Sequence, residues 1–280
     1  MNDMTDTPPP EQVADAWDAL ASGYDEFITP ESLRHGDVAL GRVEIGPGTR
    51  FLDVAAGTGA LSIPAARRGA RVVATDIAPA MIERLVARAR AEGLTDVEGR
   101  VLDSRALGFP DDTFDVSASQ NGVTMLPDLD AGLAEMVRVT RPGGAVLVAA
   151  FGPLPKVEFL TFLLDAVRAA VPDFTGPPMD PPPPPFQLAD RDVFRERLTA
   201  AGLHDVAVDT ITWDMTVASP THLFNEVATS NPIGARLVAG LSEDQRTEVL
   251  RVLDGLLRER SGDRPSAVLH ADVNVGTGVK

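Results

Sequence analysis

From residue 50 onward, short apolar runs bounded by turn residues alternate with stretches whose apolar positions recur every three or four residues. The runs RFLDV (50–54), RVVATD (71–76), VEGRVLD (97–103) and FDVSASQ (114–120) read as strands, as does GAVLVAAF (144–151) after the turn RPGG. Between them ALSIPAARRG predicts a helix ending at Gly69. PAMIERLVARARAEG predicts a second, with Pro79 in its first turn, Met81, Ile82, Leu85 and Val86 on one face, and a stop at Gly93. DAGLAEMVRVT predicts a third. Strands that alternate with helices, and that are apolar almost throughout, imply a parallel sheet covered on both faces.

The flanks carry the same two periods. Val13, Trp17 and Leu20 give an amphipathic helix from Glu11, broken at Gly23. After Phe151 a helix is expected near 155–170, followed by VPDFTGPPMDPPPPPF, where Pro181 to Pro185 impose an extended chain. Alternation resumes at once, so this reads as a stiff strap inside one domain. DRDVFRERLTAAG is helical, DVAVDTITWDM a strand, 219–230 and 241–260 helical, and AVLHADVNVGTGVK a last strand. Residues 1–11, rich in proline and acid, are expected to be disordered because they cannot bury enough surface to offset ordering entropy.

Composition narrows the class. Apolar residues make up 44% of the 280, enough for a sizeable core. The formal net charge of −16 repels phosphate backbones, which argues against nucleic acid as substrate. Without cysteine there is no disulfide, thiolate metal site or cysteine nucleophile. The start, MNDMTDTPPP, is unlike a signal peptide, and no run approaches the roughly 18 apolar residues of a membrane helix. The expectation is a soluble cytoplasmic protein with no membrane insertion; homodimerisation stays open.

The chemistry centres on RFLDVAAGTGALSIPAARRGARVVATD, residues 50–76. Glycines just past a strand let a ligand approach the backbone, and the N–H groups of the next helix face an anionic group. Asp76, ending the next strand about 20 residues past Gly57, offers two acceptor oxygens to a ribose diol. To this point NAD and S-adenosylmethionine are equally served. The spacing separates them: a dinucleotide loop has G-x-G-x-x-G, whereas here Ala55, Gly57, Gly59 and Ser62 fill the loop and Asp53 stands four residues before Gly57.

D-x-x-x-G-x-G resembles motif I of the class I S-adenosylmethionine-dependent methyltransferases. ATDIAPAMI is similar to their acidic second motif, VLDSRALGFPDDTFDV to the following segment, and MVRVTRPGG to the turn before strand five. The four, in order over about residues 45–151, look most like the UbiE-type small-molecule methyltransferases, and PPPPPFQLADRDVFRERLTAAGLHDV resembles the downstream part of that group. Ala56 departs from the residue often found within motif I.

The resemblance implies a Rossmann-like, doubly wound seven-stranded α/β sheet whose last strand is antiparallel. It implies that Asp53, Ala55, Gly57 and Gly59 line the methionine end of the cofactor and that Asp76 holds the ribose, with Ile77 and Met81 beside the adenine. Asp103 accepts from the adenine amino group beside Ser104, Gln120 and Asn121 flank the methionine moiety, and Tyr24 folds over the cofactor. Residues 12–280 then form one domain, with a lid at 12–40, a cofactor core at 45–151 and acceptor-side insertions at 152–190 and 214–262.

The acceptor side offers Phe159, Phe162, Leu163, Phe174, Met179, Phe186, Leu223 and Phe224, which suit a small, largely apolar molecule. His35 and His222 are the candidate general bases, with Glu226 and Asp214 behind them. The four histidines lack metal-ligand spacing, so no metal is expected, and arsenic methylation is excluded for want of cysteine. The expected reaction is in-line methyl transfer from S-adenosylmethionine, releasing S-adenosylhomocysteine. The alternatives are a repurposed S-adenosylmethionine binder and an NAD-dependent oxidoreductase.

Overall fold

The computed structural model describes residues 9–280. One seven-stranded sheet, in the order β3-β2-β1-β4-β5-β7-β6, forms its spine. β1 (Arg50–Val54), β2 (Arg71–Asp76), β3 (Val97–Val101), β4 (Phe114–Gln120) and β5 (Thr140–Phe151) run parallel. β7 (Ala267–Val279) inserts antiparallel between β5 and β6 (His204–Val217). The sequence-predicted doubly wound sheet with its antiparallel last strand is therefore present. The RPGG segment is an irregularity within β5: pairing steps from Phe114–Thr140 to Val116–Ala145, with Gly143 at φ 71°.

Alternate side chains of each strand enter opposite cores. Phe51, Leu147 and Ala149 pack under α2 (Thr29–Ala39), α6 (Glu158–Ala170) and α10 (Glu243–Ser261). Leu52, Val54, Val146 and Val148 pack under α5 (Leu129–Val139) and α7 (Arg191–Ala200). The remaining crossovers are α3 (Ser62–Arg67) and α4 (Pro79–Ala91). Phe186 and Leu188, after the proline run, are buried, and the Gln187 amide donates to Thr124 O (2.8 Å) and Leu126 O (3.0 Å).

Two expectations need correction. The disorder expected over 1–11 lies outside the described residues up to residue 8, but α1 (Pro10–Gly23) already begins at Pro10, because proline at a first helical position gives up only an N–H that the helix leaves unused. Gly23 does not break that helix. Its backbone is helical (φ −69°, ψ −36°), and the chain continues through a wider turn, Tyr24–Ile28, directly into α2. The glycine serves a close approach instead: a Cβ there would lie 2.4 Å from Thr229 Cγ2 on α8 (Pro220–Ser230).

A further helix, α9 (Pro232–Ala239), lies between the two expected helical stretches 219–230 and 241–260. Asn231 is its N-cap, accepting from the N–H groups of Ile233 (3.0 Å) and Gly234 (2.9 Å), and Pro232 occupies the first turn.

Candidate functional site

Strand order reverses between β1 and β4, which is where a doubly wound sheet opens a crevice at its carboxyl edge. A cavity of about 420 Å³ lies there. Its floor is the loop after β1, which turns on backbone in the left-handed region: Ala55 (φ 53°), Gly57 (φ 53°) and Gly59 (φ 105°). The loop after β4 adds Asn121 (φ 52°). Gly122 lets the two loops touch, since a Cβ there would sit 2.6 Å from Ala55 Cβ. Two non-glycine residues in a costly conformation on adjacent strand ends are the mark of a functional edge.

Of the expected cofactor residues, the cavity is lined by Tyr24, Ala55, Gly57, Asp76, Ile77 and Met81 and, on its far side, by Asp103, Ser104, Gln120 and Asn121. Asp53 and Gly59 stand outside this lining. Asp53 lies behind the loop, 1% exposed, where its Oδ2 accepts from the Ser62 N–H (2.8 Å) and hydroxyl (2.6 Å) and so braces the start of α3. Burial pushes its carboxyl up to about 7. Gly59 faces the protein interior; a Cβ would lie 3.0 Å from Ile63 and 3.1 Å from Leu85.

Asp76, 8% exposed, accepts from the Gly57 N–H (2.8 Å) and the Ala78 N–H (3.0 Å). One carboxylate thus ties the glycine loop to the start of α4. Burial raises its pKa above the usual carboxylate range. Asp103 is held by Arg105, which donates from its backbone N–H (2.9 Å) and guanidinium (2.7 Å). That ion pair, chiefly through its side-chain hydrogen bond, keeps the Asp103 carboxyl below its ordinary value.

The N-terminal helices roof the cavity with Gln12, Val13, Trp17 and Tyr24. They are pinned by Asp18, whose carboxylate accepts the Ala80 N–H at the start of α4 (2.8 Å), by Asp25 against Arg84 and Arg88, and by Thr29 Oγ1 against Thr58 Oγ1 (2.6 Å). The Tyr24 hydroxyl is pushed up to about 12 by burial and by the Asp76 charge. Sequence reading missed Gln12, Pro127 and Arg236, which reach the cavity from three remote segments. No local pattern announces them.

A second, smaller cavity of about 110 Å³ adjoins the first, sharing Trp17, Tyr24, Gln120, Asn121 and Met125. His35 lies in it, stacked on Trp213 with ring centroids 4.1 Å apart; burial holds the imidazole down to about 4, hence neutral. Glu31 and Glu226 also line it. Burial, then the Glu31 charge, push the Glu226 carboxyl up to about 8.

His222 does not line either cavity; it packs edge-on against Phe27, with Nε2 3.9 Å from Glu226 Oε2. Asp214 faces outward and pairs with His270 (2.7 Å). Among the expected acceptor-side apolar residues, Phe159 lines this cavity, while Leu223 and Phe224 are core and Met179 is exposed. Among the described residues, no group of three His, Asp or Glu side chains is placed to hold a metal, and no helix is long and apolar enough to cross a membrane.

Comparison with known proteins bears on this geometry. A methyltransferase domain model matches residues 51–144, from β1 to the β5 turn. An uncharacterised protein of Mycobacterium tuberculosis is 46% identical over 111 residues, a match spanning 40% of its length. The demethylmenaquinone methyltransferase of Streptomyces avermitilis is 32% identical over 211 residues, covering 71% of this chain and 88% of that protein. The chain belongs to the UbiE-type class I S-adenosylmethionine-dependent methyltransferases.

The fold agrees with that family. A Haemonchus contortus phosphoethanolamine N-methyltransferase, solved with S-adenosyl-L-methionine, superimposes with TM-score 0.60 at 18% identity, over 98% of this chain and 60% of that one. The [4+2]-cyclase SpnF superimposes with TM-score 0.58 at 16% identity, over 98% of this chain and 97% of that one. The cavity fits the family's cofactor, S-adenosylmethionine. It has a floor of glycine and alanine (Ala55, Ala56, Gly57, Gly122), an acid at the end of β2, and two buried oxygens without a partner, Gln120 Oε1 and Asn121 Oδ1, able to accept from an ammonium.

Proposed function

We propose that the protein transfers the methyl group of S-adenosylmethionine to a small, largely apolar acceptor by in-line displacement. The observation that carries this reading is the pair of adjoining cavities, one lined by the motif residues and the other by aromatic and aliphatic side chains with a few polar groups among them, meeting at Trp17, Tyr24, Gln120, Asn121 and Met125. Bound S-adenosylmethionine supplies an activated methyl group on a sulfonium leaving group. The protein's part is to bind, orient and exclude water, which for well-oriented groups is worth up to roughly 7–11 kcal/mol of the barrier.

In this reading Asp76 accepts the ribose hydroxyls on the lone pairs its backbone contacts leave free, and Ile77 and Met81 flank the adenine. Asp103 is pre-set by Arg105 for the adenine edge beside Ser104. Gln120 and Asn121 accept from the methionine ammonium. Tyr24 and Trp17 close over both cavities, so residues 12–40 act as the lid, and 152–190 with 214–262 supply the acceptor side. Its proton chemistry, where an acceptor requires any, falls to His35 or Glu226 rather than to His222.

Incubation with methyl-labelled S-adenosylmethionine and a panel of apolar phenols, quinols and amines tests the reading. Label should appear in at least one class, with S-adenosylhomocysteine formed in equal amount. S-adenosylhomocysteine bound tightly, with no label transferred to any class, would favour the repurposed binder.

A further inference from the structure

The second cavity carries an unusual set of polar atoms. Among the described residues, the buried side-chain atoms without a hydrogen-bond partner include Glu31 Oε2, Glu226 Oε2, Gln120 Oε1, Asn121 Oδ1, Thr124 Oγ1 and Trp213 Nε1, and all six belong to residues that line this one cavity. Such atoms cost free energy unless something in the site pairs with them. Gln120 and Asn121 face the shared boundary and are accounted for by the cofactor. Glu31, Glu226, Thr124 and Trp213 are not.

Two carboxyl groups converge there from different helices, α2 and α8. Glu31 pairs through its other oxygen with the exposed Arg34, so it brings a negative charge to the wall. Glu226 is 3% exposed. The wall also carries the aromatic side chains of Phe151, Phe159 and Trp213, with His35 stacked on Trp213. Leu160, Pro185 and Asn231 continue from this cavity into an apolar groove of about 350 Å³ between α6, α9 and the proline strap.

We infer that the methyl acceptor is an amine with an apolar body, its nitrogen held between Glu31 and Glu226 and its body directed into the groove under the proline strap. The inference rests on the methyltransferase reading and deepens it. Three features of the cavity agree on it. Three of the four unpartnered atoms, Glu31 Oε2, Glu226 Oε2 and Thr124 Oγ1, are oxygens able to accept, so a ligand with N–H groups can pair with them. Aromatic faces attract cations. Carboxyl oxygens beside the nitrogen stabilise the positive charge that passes to it as the methyl moves.

The balance is simple. The amine enters as the neutral base, its N–H groups donating to Glu31 and Glu226 and its lone pair free. That pair forms the bond to the methyl carbon as the carbon–sulfur bond breaks and leaves its electrons on sulfur. The products are the N-methylated ammonium and S-adenosylhomocysteine; the positive charge moves from sulfur to nitrogen, and no proton has to leave first.

Calorimetric titration of the full chain, saturated with S-adenosylhomocysteine, with octylamine and with 1-octanol provides the test. Octylamine should bind at least about tenfold more tightly, a difference of about 1.4 kcal/mol. Glu226→Gln and Glu31→Gln should each lower octylamine affinity by about tenfold and leave octanol affinity unchanged. Equal binding of the two probes, binding of neither, or a preference that survives both substitutions overturns the inference. Failure of S-adenosylhomocysteine itself to bind would instead overturn the methyltransferase reading. Should Glu226→Gln not fold, Glu31→Gln and the wild-type comparison decide.

Discussion

Asp76→Ala should lower the affinity for S-adenosylhomocysteine by roughly 10²- to 10⁴-fold while the sheet stays folded. A charge-assisted hydrogen bond is worth about 1.5–3 kcal/mol, and the substitution removes two such bonds to the ribose at once. It also removes the acceptor for the Gly57 N–H (2.8 Å) and the Ala78 N–H (3.0 Å), so the loop that cradles the cofactor loses its tie to α4. The fold tolerates the loss because Asp76 ends a strand whose partners, Val72 to Thr75 against β3, remain paired. Asp76→Asn, which keeps one oxygen acceptor, should fall between. Calorimetry with unchanged affinity for Asp76→Ala, with circular dichroism confirming the fold, would remove Asp76 from the site.

The second large effect belongs to Gly36, on the helix that carries Glu31, Ser32 and His35. A Cβ at Gly36 would lie 2.0 Å from Ala60 O and 2.9 Å from Ala60 C, both backbone atoms of the loop after β1. Backbone cannot swing aside as a flexible side chain does, so even alanine must displace α2 or the loop. Overpacking of this kind costs about 1–3 kcal/mol or more. Gly36→Ala should therefore lower the melting temperature by several degrees and weaken S-adenosylhomocysteine binding by about tenfold or more. Gly41→Ala, where a Cβ meets nothing within 4 Å, is the matched control and should change neither. Wild-type stability and affinity in Gly36→Ala would show that α2 is not seated on the loop as described.

These two residues also mark what was legible in the sequence. Asp76 was readable because its role is local: it ends an apolar strand at a fixed distance from Gly57, and the runs RFLDV, RVVATD and FDVSASQ coincide with β1, β2 and β4. Gly36 was not, since the need for glycine there arises from Ala60, which only the tertiary fold brings against it. Gly23 was misread for the same reason, its partner Thr229 lying on α8. Asp53 and Gly59 belong to the motif by sequence yet support the loop from behind, because a turn must be braced on the side away from its ligand. The acceptor cavity was least legible. Its carboxyl pair sits on two helices far apart in the chain: Glu226 stood among the candidate bases, but Glu31 does not differ locally from a solvated acid.

The central claim is that the cavity between the ends of β1 and β4 takes S-adenosylmethionine, and thermal unfolding with different nucleosides tests it most directly. A ligand that binds the native state alone at about 100 times its Kd adds about 2.7 kcal/mol, enough to raise the melting temperature of a chain this size by roughly 5–10 °C. S-adenosylmethionine and S-adenosylhomocysteine should each give a shift of that order, and NAD none. A shift with NAD and none with either S-adenosyl compound at millimolar concentration would contradict the account.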